Sequence, residues 1–201
     1  MPPLCASRPR PAVARVVLLT CCSLMHHSFR SLSGCCLALF LVACSPTFNW
    51  RELRDDAIEL KAVMPCKPDR AEREVPLGEG PQKLHMHSCE AGGLTFAIAW
   101  VRLPDAAQAM SALEPWRRAT LATLQAGWSL PDDADLAWPA RVAGSDGVLG
   151  LRAQGQSHSG QAVQARAVYF SRGATVYHAA IYGPRIPDEV ASSFFDALRL
   201  P

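Results

Sequence analysis

A short apolar run over residues 35–42 is followed by Ala43 and Cys44, and it divides the chain into two parts. Secretory signals combine a basic start, an apolar stretch of roughly 7–15 residues and small residues before the cleavage site. Arg30 supplies the charge, and Ala43 is the small residue. A membrane-spanning helix needs about 20 apolar residues, so this run is too short for one. The pattern therefore predicts a cleaved signal peptide over residues 1–43, which leaves only the rest of the chain to fold.

The start of translation has two interpretations. Residues 25–30 begin with Met25 and have the length and charge of a normal signal start. We therefore expect Met25 to be the true first residue, with residues 1–24 belonging to an over-extended gene prediction. The alternative is a long basic region that begins at Met1.

The four residues at the predicted cut, Leu41, Val42, Ala43 and Cys44, resemble the lipobox of bacterial lipoproteins. This resemblance implies that Cys44 becomes the first residue, is lipidated, and anchors the protein to a membrane on the periplasmic side. Each buried CH₂ of the acyl chains contributes about 0.8 kcal/mol. Ser45 after the cysteine, rather than Asp, implies sorting to the outer membrane. The alternative is an ordinary secretory cut that leaves Cys44 unmodified.

The composition changes at the cut. Removal of residues 1–43 lowers Lys+Arg from 20 to 16 and leaves Asp+Glu at 18, so the formal charge becomes −2. Nucleic-acid binding needs a basic patch on the folded domain, and the remaining sequence has no basic run. Residues 44–201 number 158, which suits one domain with its own core. We assign residues 44–54 to the lipidated cysteine and a tether, and residues 55–201 to a single globular domain.

Cysteine usage also changes at the cut. Five of the eight cysteines precede Cys44, so Cys66 and Cys89 are the two that remain beyond the predicted anchor. In an oxidising compartment an isolated pair predicts a disulfide. In the chain-entropy model the loop between them would stabilise the fold by about 3–3.5 kcal/mol.

The order of predicted elements indicates an α+β fold. Alternating or apolar runs predict strands over residues 50–54, 58–64, 71–77, 83–90, 94–101, 148–156, 161–171 and 175–182. Helices are expected over residues 106–125 and 187–198, and Pro115 should kink or split the first of them. Strand groups separated by helices predict an antiparallel β-sheet packed by helices.

Several features of the predicted domain resemble the PsbP/Mog1-like α/β/α sandwich. They are the early strand ending in Pro65, the hairpin into Trp100, the helix led by Pro104, and the ending from Tyr182 to Phe195. The resemblance covers most of residues 55–200, and no residue here matches the photosystem or nuclear-transport roles of that family.

Two short motifs carry a second resemblance. A Cys-Lys-Pro turn at residues 66–68 and a Cys-Glu-Ala-Gly-Gly sequence at residues 89–93 are similar to those of small uncharacterised proteobacterial lipoproteins. This likeness implies no activity.

His85, His87 and Cys89 are the best candidates for chemistry. Their period-2 spacing points the three side chains to one face of a strand. Imidazole and thiolate suit Zn²⁺ or copper, with Cys66 or Glu90 as a fourth ligand. The alternative is that Cys89 is bonded to Cys66 and that the two histidines lie on the solvent face of the strand. We favour this alternative, so no metal or other cofactor is expected.

Other polar residues suggest weaker sites. Ser159 beside His158 and Ser145 beside Asp146 could serve hydrolysis, yet neither serine lies in a Gly-x-Ser-x-Gly elbow. Residues 132–135 carry three aspartates but lack the glycine and glutamate of a calcium loop. Four tryptophans are expected in packing rather than in a ligand cage: Trp100, Trp116, Trp128 and Trp138.

These features predict a non-enzymatic, lipid-anchored periplasmic domain that binds an envelope protein or another envelope component. A metal-binding lipoprotein that uses His85, His87 and a cysteine is the alternative. A third class, an envelope hydrolase, would need a pocket that joins one of the serines to His158 or His178.

Overall fold

The computed structural model describes residues 46–78, 80–124, 138–157 and 159–201. The predicted signal peptide and the anchor therefore lie outside the described residues. So do several residues named above: Met25, Cys44, Ser45, Trp128, Asp132, Asp133, Asp135 and His158.

A six-stranded antiparallel sheet forms the centre of the domain, in the order β3-β4-β5-β8-β7-β6. Its strands are β3 (Asp69–Pro76), β4 (Pro81–Ala91), β5 (Leu94–Arg102), β6 (Gly147–Gln156), β7 (Ala162–Arg172) and β8 (Thr175–Gly183). Each group of three consecutive strands forms a meander, and the two meanders join where β5 pairs with β8. These strands lie close to the predicted ones, because alternating sequences report the two faces of a sheet.

The turn between β4 and β5 consists of Gly92 and Gly93 alone, since Ala91 pairs with Leu94. Both glycines have positive φ, 60° and 72°. A two-residue hairpin turn of this kind requires positive φ at both positions, and glycine adopts it without steric cost.

Two short strands, β1 (Arg51–Glu52) and β2 (Val63–Met64), form a separate ribbon. They are much shorter than the predicted runs over residues 50–54 and 58–64. The reason is that residues 48–66, which we call the strap, cross one face of the large sheet. They contact it through buried side chains such as Leu60 and Met64.

Two helices of the described residues pack on the sheet, which confirms the predicted architecture. Helix α1 spans Ala106–Thr123, and the Asp105 carboxylate caps it by accepting from the backbone N–H of Gln108 at 2.8 Å. Pro115 lies inside α1 and does not split it, contrary to one of the two outcomes expected. Ser111, whose carbonyl loses its helical donor at Pro115, is exposed to water. Helix α2 spans Asp188–Phe195.

The two helices cover opposite faces of the sheet. Trp100 belongs to a core cluster with the strap and with Phe194 of α2, on what we call the strap face. Val101, the next residue of β5, belongs to a second cluster with α1, on the α1 face. Successive strand residues point to opposite faces, so the sheet is covered on both sides.

The folded domain begins earlier than predicted. Residues 44–54 were assigned to a tether, yet Phe48 and Trp50 pack against the core of the strap face. The ring of Phe48 stacks on Trp50 at 6.0 Å and meets Phe96 edge-on at 6.2 Å. The backbone N–H of Asn49 donates to the carbonyl of Pro65 at 2.8 Å. The aromatic residues that looked like a tether are therefore part of the strap.

Candidate functional site

Strand β4 places the predicted histidines on the strap face. Leu84 belongs to the α1-face core and Cys89 to the strap-face core, as the alternation predicts. The indole of Trp100, on the neighbouring strand β5, stacks with both histidine rings. The ring centroids lie 5.3 Å from His85 and 5.1 Å from His87.

His87 is buried, with 1% of its surface exposed, so the expectation that both histidines face solvent is wrong for this residue. Trp100 stacks on its ring, and the strap brings Asp55 to it from 32 residues away. The Nε2 of His87 lies 2.7 Å from Oδ2 of Asp55. The Nδ1 of His87 is buried and has no hydrogen-bond partner within the described part of the chain.

Asp55 of the strap contacts His87 and Arg70 of the sheet, and opposing electrostatic effects act on its pKa. Partial burial raises the pKa of its carboxyl group. The backbone N–H of Ala57 at 2.9 Å, the imidazole of His87 and the guanidinium of Arg70 at 3.8 Å act in the opposite direction and prevail. The pKa of Asp55 is therefore below its ordinary value, so the carboxylate stays charged beside His87 at neutral pH.

His85 makes a more exposed pair. Its Nδ1 lies 2.9 Å from Glu72 of the edge strand β3, and the same carboxylate lies 2.5 Å from Nζ of Lys83. The hydrogen bond from Lys83 is the main cause of the lowered pKa of Glu72. Each histidine of β4 therefore has its own carboxylate partner within the fold.

The third predicted metal ligand is engaged differently. The Sγ atoms of Cys66 and Cys89 lie 2.04 Å apart and form a disulfide. A disulfide sulfur does not provide the thiolate that zinc or copper binds. Within residues 46–78, 80–124, 138–157 and 159–201, no group of three or more His, Cys, Asp or Glu side chains is arranged to hold a metal ion.

A shallow, open cleft of about 400 Å³ lies beside the disulfide. Its lining combines both cysteines with mixed charges and small hydroxyl groups: Cys66, Lys67, Asp69, Ser88, Cys89, Glu90 and Thr95. The positive and negative groups are close together, and the cleft is open to water. Such a surface can contact a small polar group but provides no enclosed environment for chemistry.

A second cluster, around His178, lies under α1 and was not predicted from the sequence. His178 of β8 stacks on Tyr169 of β7 with ring centroids 4.8 Å apart, and Trp116 of α1 lies 5.4 Å from His178. Burial lowers the pKa of His178 to about 4, so its imidazole is neutral at neutral pH. Burial also raises the pKa of Tyr169, and it raises that of Tyr182 to about 12. In the sequence, this cluster is indicated by a single histidine, His178, at a position of β8 that lies on an apolar face.

Glu114 and Arg117 form an ion pair on α1 next to Trp116. The guanidinium of Arg117 donates from Nε and from one terminal nitrogen to the two carboxylate oxygens, at 2.8 and 2.9 Å. These hydrogen bonds are the main cause of the lowered pKa of Glu114. Arg117 is buried and Glu114 is half-buried, so the pair is largely shielded from water.

The candidate serines have structural partners. The hydroxyl of Ser145 donates to the carbonyl of Val142 at 2.7 Å, and the Asp146 carboxylate accepts from the backbone N–H of Gly173 at 2.7 Å. Ser159 shares a 2.8 Å hydrogen bond with Ser157. In the described part of the chain neither serine is hydrogen-bonded to a histidine, and the partner proposed for Ser159, His158, lies outside it.

The tryptophans do not form one cage. Trp100 and Trp138 pack on the strap face, where Trp138 meets Phe195 edge-on at 4.8 Å. Trp116 packs on the opposite, α1 face. The contact between α1 and the sheet therefore includes one of these three side chains, and Trp128 lies outside the described residues.

No family model, curated protein or solved structure matches this chain. Among the helices of the described residues, none has the length and apolar character needed to cross a membrane.

Proposed function

We propose that this protein is a lipid-anchored domain on the periplasmic side of the bacterial outer membrane, and that it binds an envelope component rather than catalysing a reaction. The observation that carries the proposal is the disulfide between Cys66 and Cys89. Disulfides persist in oxidising compartments such as the bacterial periplasm. A signal peptide cleaved after Ala43, with lipidation of Cys44, would deliver the chain to that compartment, so the disulfide and the signal segment point to the same location.

The use of the polar groups supports a structural rather than a catalytic role for them. His87 pairs with Asp55, and His85 pairs with Glu72. Asp146 accepts from the backbone N–H of a hairpin turn. Each of these contacts holds one part of the fold to another. A catalytic centre would instead need a nucleophile or base within reach of a substrate site.

The placement of the helices supports the finer fold assignment. One helix packs on each face of an antiparallel sheet, which is the layer order of the PsbP/Mog1-like α/β/α sandwich. Helix α1 contacts the second meander, β6 to β8, and α2 packs with the strap on the other face. We propose that the domain belongs to that fold group, as a member with no inherited activity.

The test is the intact mass of the protein purified from membranes after expression with its own signal. We expect a chain that begins at Cys44, carries added acyl mass, and lacks about two hydrogens because of the disulfide. Cys44→Ala should abolish the acyl mass. Cys36→Ala, a matched change inside the apolar run, should leave it unchanged.

Two results would overturn the proposal. A mature protein without acyl mass from the unaltered gene would exclude the anchor. Two free thiols together with bound zinc or copper would favour the metal-binding alternative.

A further inference from the structure

The start of the strap is held firmly at one end of the sheet. Phe48 lies over the β4–β5 turn, so closely that a Cβ at Gly92 would be 2.7 Å from the tip of its ring. Trp50 and Phe96 contact the same ring. Asn49 is tied to Pro65 through the backbone. The strap therefore cannot lift from the turn without breaking core contacts.

Only residues 45–47 separate Cys44 from Phe48. Four Cα-to-Cα steps of a fully extended chain reach at most about 14 Å. We infer that the end of the domain formed by the β4–β5 turn rests against the surface of the bilayer that holds the anchor. This inference rests on the proposed lipidation of Cys44 and adds a fixed orientation to it.

The surface of that end suits close contact with lipid headgroups. The turn residues Gly92 and Gly93 and the preceding Ala91 are small and uncharged, and both glycines are exposed. Thr47 lies beside Gly92, with its methyl carbon 3.1 Å from the position of a Cβ there. Further from the turn, Lys67 shares one cleft with the carboxylates of Asp69 and Glu90. The inferred contact rests on the tether length and the small turn residues, and not on attraction between charges.

The opposite end of the sheet must then face away from the membrane. Arg102 lies at that end, eight residues beyond the start of β5 at Leu94. A rise of about 3.3 Å per residue separates it from the turn by about 26 Å. An envelope partner would reach this far end and its neighbouring turn at Gly173 without competing with lipid.

Two exposed arginines provide matched reporters of this orientation. Arg185 lies two residues beyond Gly183, whose added Cβ would be 3.2 Å from the carbonyl of Gly93, so it belongs to the turn end. Arg102 belongs to the far end. Full-length lipidated Arg185→Cys and Arg102→Cys would each be labelled with a fluorophore and reconstituted into phosphatidylcholine vesicles. The vesicles would contain a lipid with a nitroxide on its headgroup, which quenches nearby fluorophores.

We expect the label at residue 185 to be quenched several-fold more strongly than the label at residue 102. A control with ten Gly and Ser residues inserted between Pro46 and Thr47 lengthens the tether to a mean reach of about 20 Å. The two labels should then be quenched almost equally.

The intact mass of each variant separates the two possible failures. Equal quenching of the two labels on an acylated protein with the native tether would overturn the orientation alone. Stronger quenching at residue 102 would do the same. Absence of acyl mass would overturn the proposed function and this inference with it.

Discussion

Loss of the Cys66–Cys89 disulfide should destabilise the domain in a measurable and localised way. The two residues are separated by 23 positions in the sequence. In the chain-entropy model a closed loop of this length stabilises the folded state by about 3.4 kcal/mol at 25 °C, because it restricts the unfolded chain. For a domain of this size each kcal/mol corresponds to roughly 2–4 °C, so Tm should fall by about 7–14 °C. The double substitution Cys66→Ala and Cys89→Ala makes the change.

The structure also predicts where the loss is first felt. Strand β3 follows Cys66, lies at the edge of the sheet and pairs only with β4. Of its eight residues, seven are exposed and only Val75 is half-buried. With so little apolar burial, β3 depends on its ladder to β4 and on the disulfide that closes the open end of that hairpin. Its amide hydrogens should exchange much faster in the double variant, while those of β5 and β8 change only as global stability falls.

Urea unfolding at constant pH, followed by tryptophan fluorescence, gives the global change. Amide hydrogen exchange gives the local one. The unaltered protein in excess reductant is the matched control and should lose a similar amount of stability. A loss of less than about 1 kcal/mol together with unchanged exchange in β3 would contradict this prediction, since the chain-entropy effect would then be absent.

Three further changes test the core contacts by urea unfolding. Asp55→Asn should cost about 1–3 kcal/mol at pH 7, because it removes the charged partner of buried His87. The pKa of Asp55 is lowered in the folded state, so the carboxylate stabilises the fold fully above its unfolded pKa near 3.8. This contribution to the free energy of unfolding is lost as the pH falls through the lowered pKa. The unaltered protein and the Asp55→Asn variant should then become equally stable. The pKa of His178 is about 4 in the folded state and 6.5 in the unfolded chain, so between these values the unfolded state binds the proton more readily. The free energy of unfolding should therefore fall by about 3 kcal/mol as the pH is lowered from 6.5 to 4. His178→Phe should flatten this dependence on pH. Gly150→Ala should cost about 1–3 kcal/mol, because its Cβ would overlap the backbone carbonyl of Trp138.

The controls for these changes lie close by in sequence or share the residue type. Asp56→Asn, at an exposed neighbour of Asp55, should leave stability nearly unchanged. Gly80→Ala should also be nearly neutral, since nothing lies within 4 Å of a Cβ there. Equal effects of the two asparagine variants would contradict the role of the His87 pair. An unchanged acid slope in the His178 variant would show that other groups cause it, and a neutral Gly150→Ala would show that the Trp138 segment moves without cost.

The sequence predicted most of the sheet because its strands are amphipathic or wholly apolar over many residues. The six long strands and both helices have boundaries near those expected. It was less accurate for the strap, where β1 and β2 are short and Phe48 and Trp50 pack against the core. Apolar residues in an irregular segment carry no period, so the sequence pattern could not distinguish a tether from a segment packed on the sheet.

The candidate site could also be predicted from the sequence only in part. Period-2 spacing placed His85, His87 and Cys89 on one face of β4, and the small number of cysteines left Cys66 as the natural partner of Cys89. The pairing of His87 with Asp55 depends on how the strap crosses the sheet, and it could not be read from the sequence.

The amino-acid sequence alone is enough to predict the strands, the faces to which their side chains point, and the segment expected to anchor the chain. Local geometry fixes these properties, because a strand repeats every two residues and a helix every 3.6. Which groups meet depends on the tertiary structure: Asp55 lies against His87, Phe48 against the β4–β5 turn, and Trp116 against His178. Such contacts join segments far apart in the chain, and they form because close packing of the core leaves few alternative positions for large side chains.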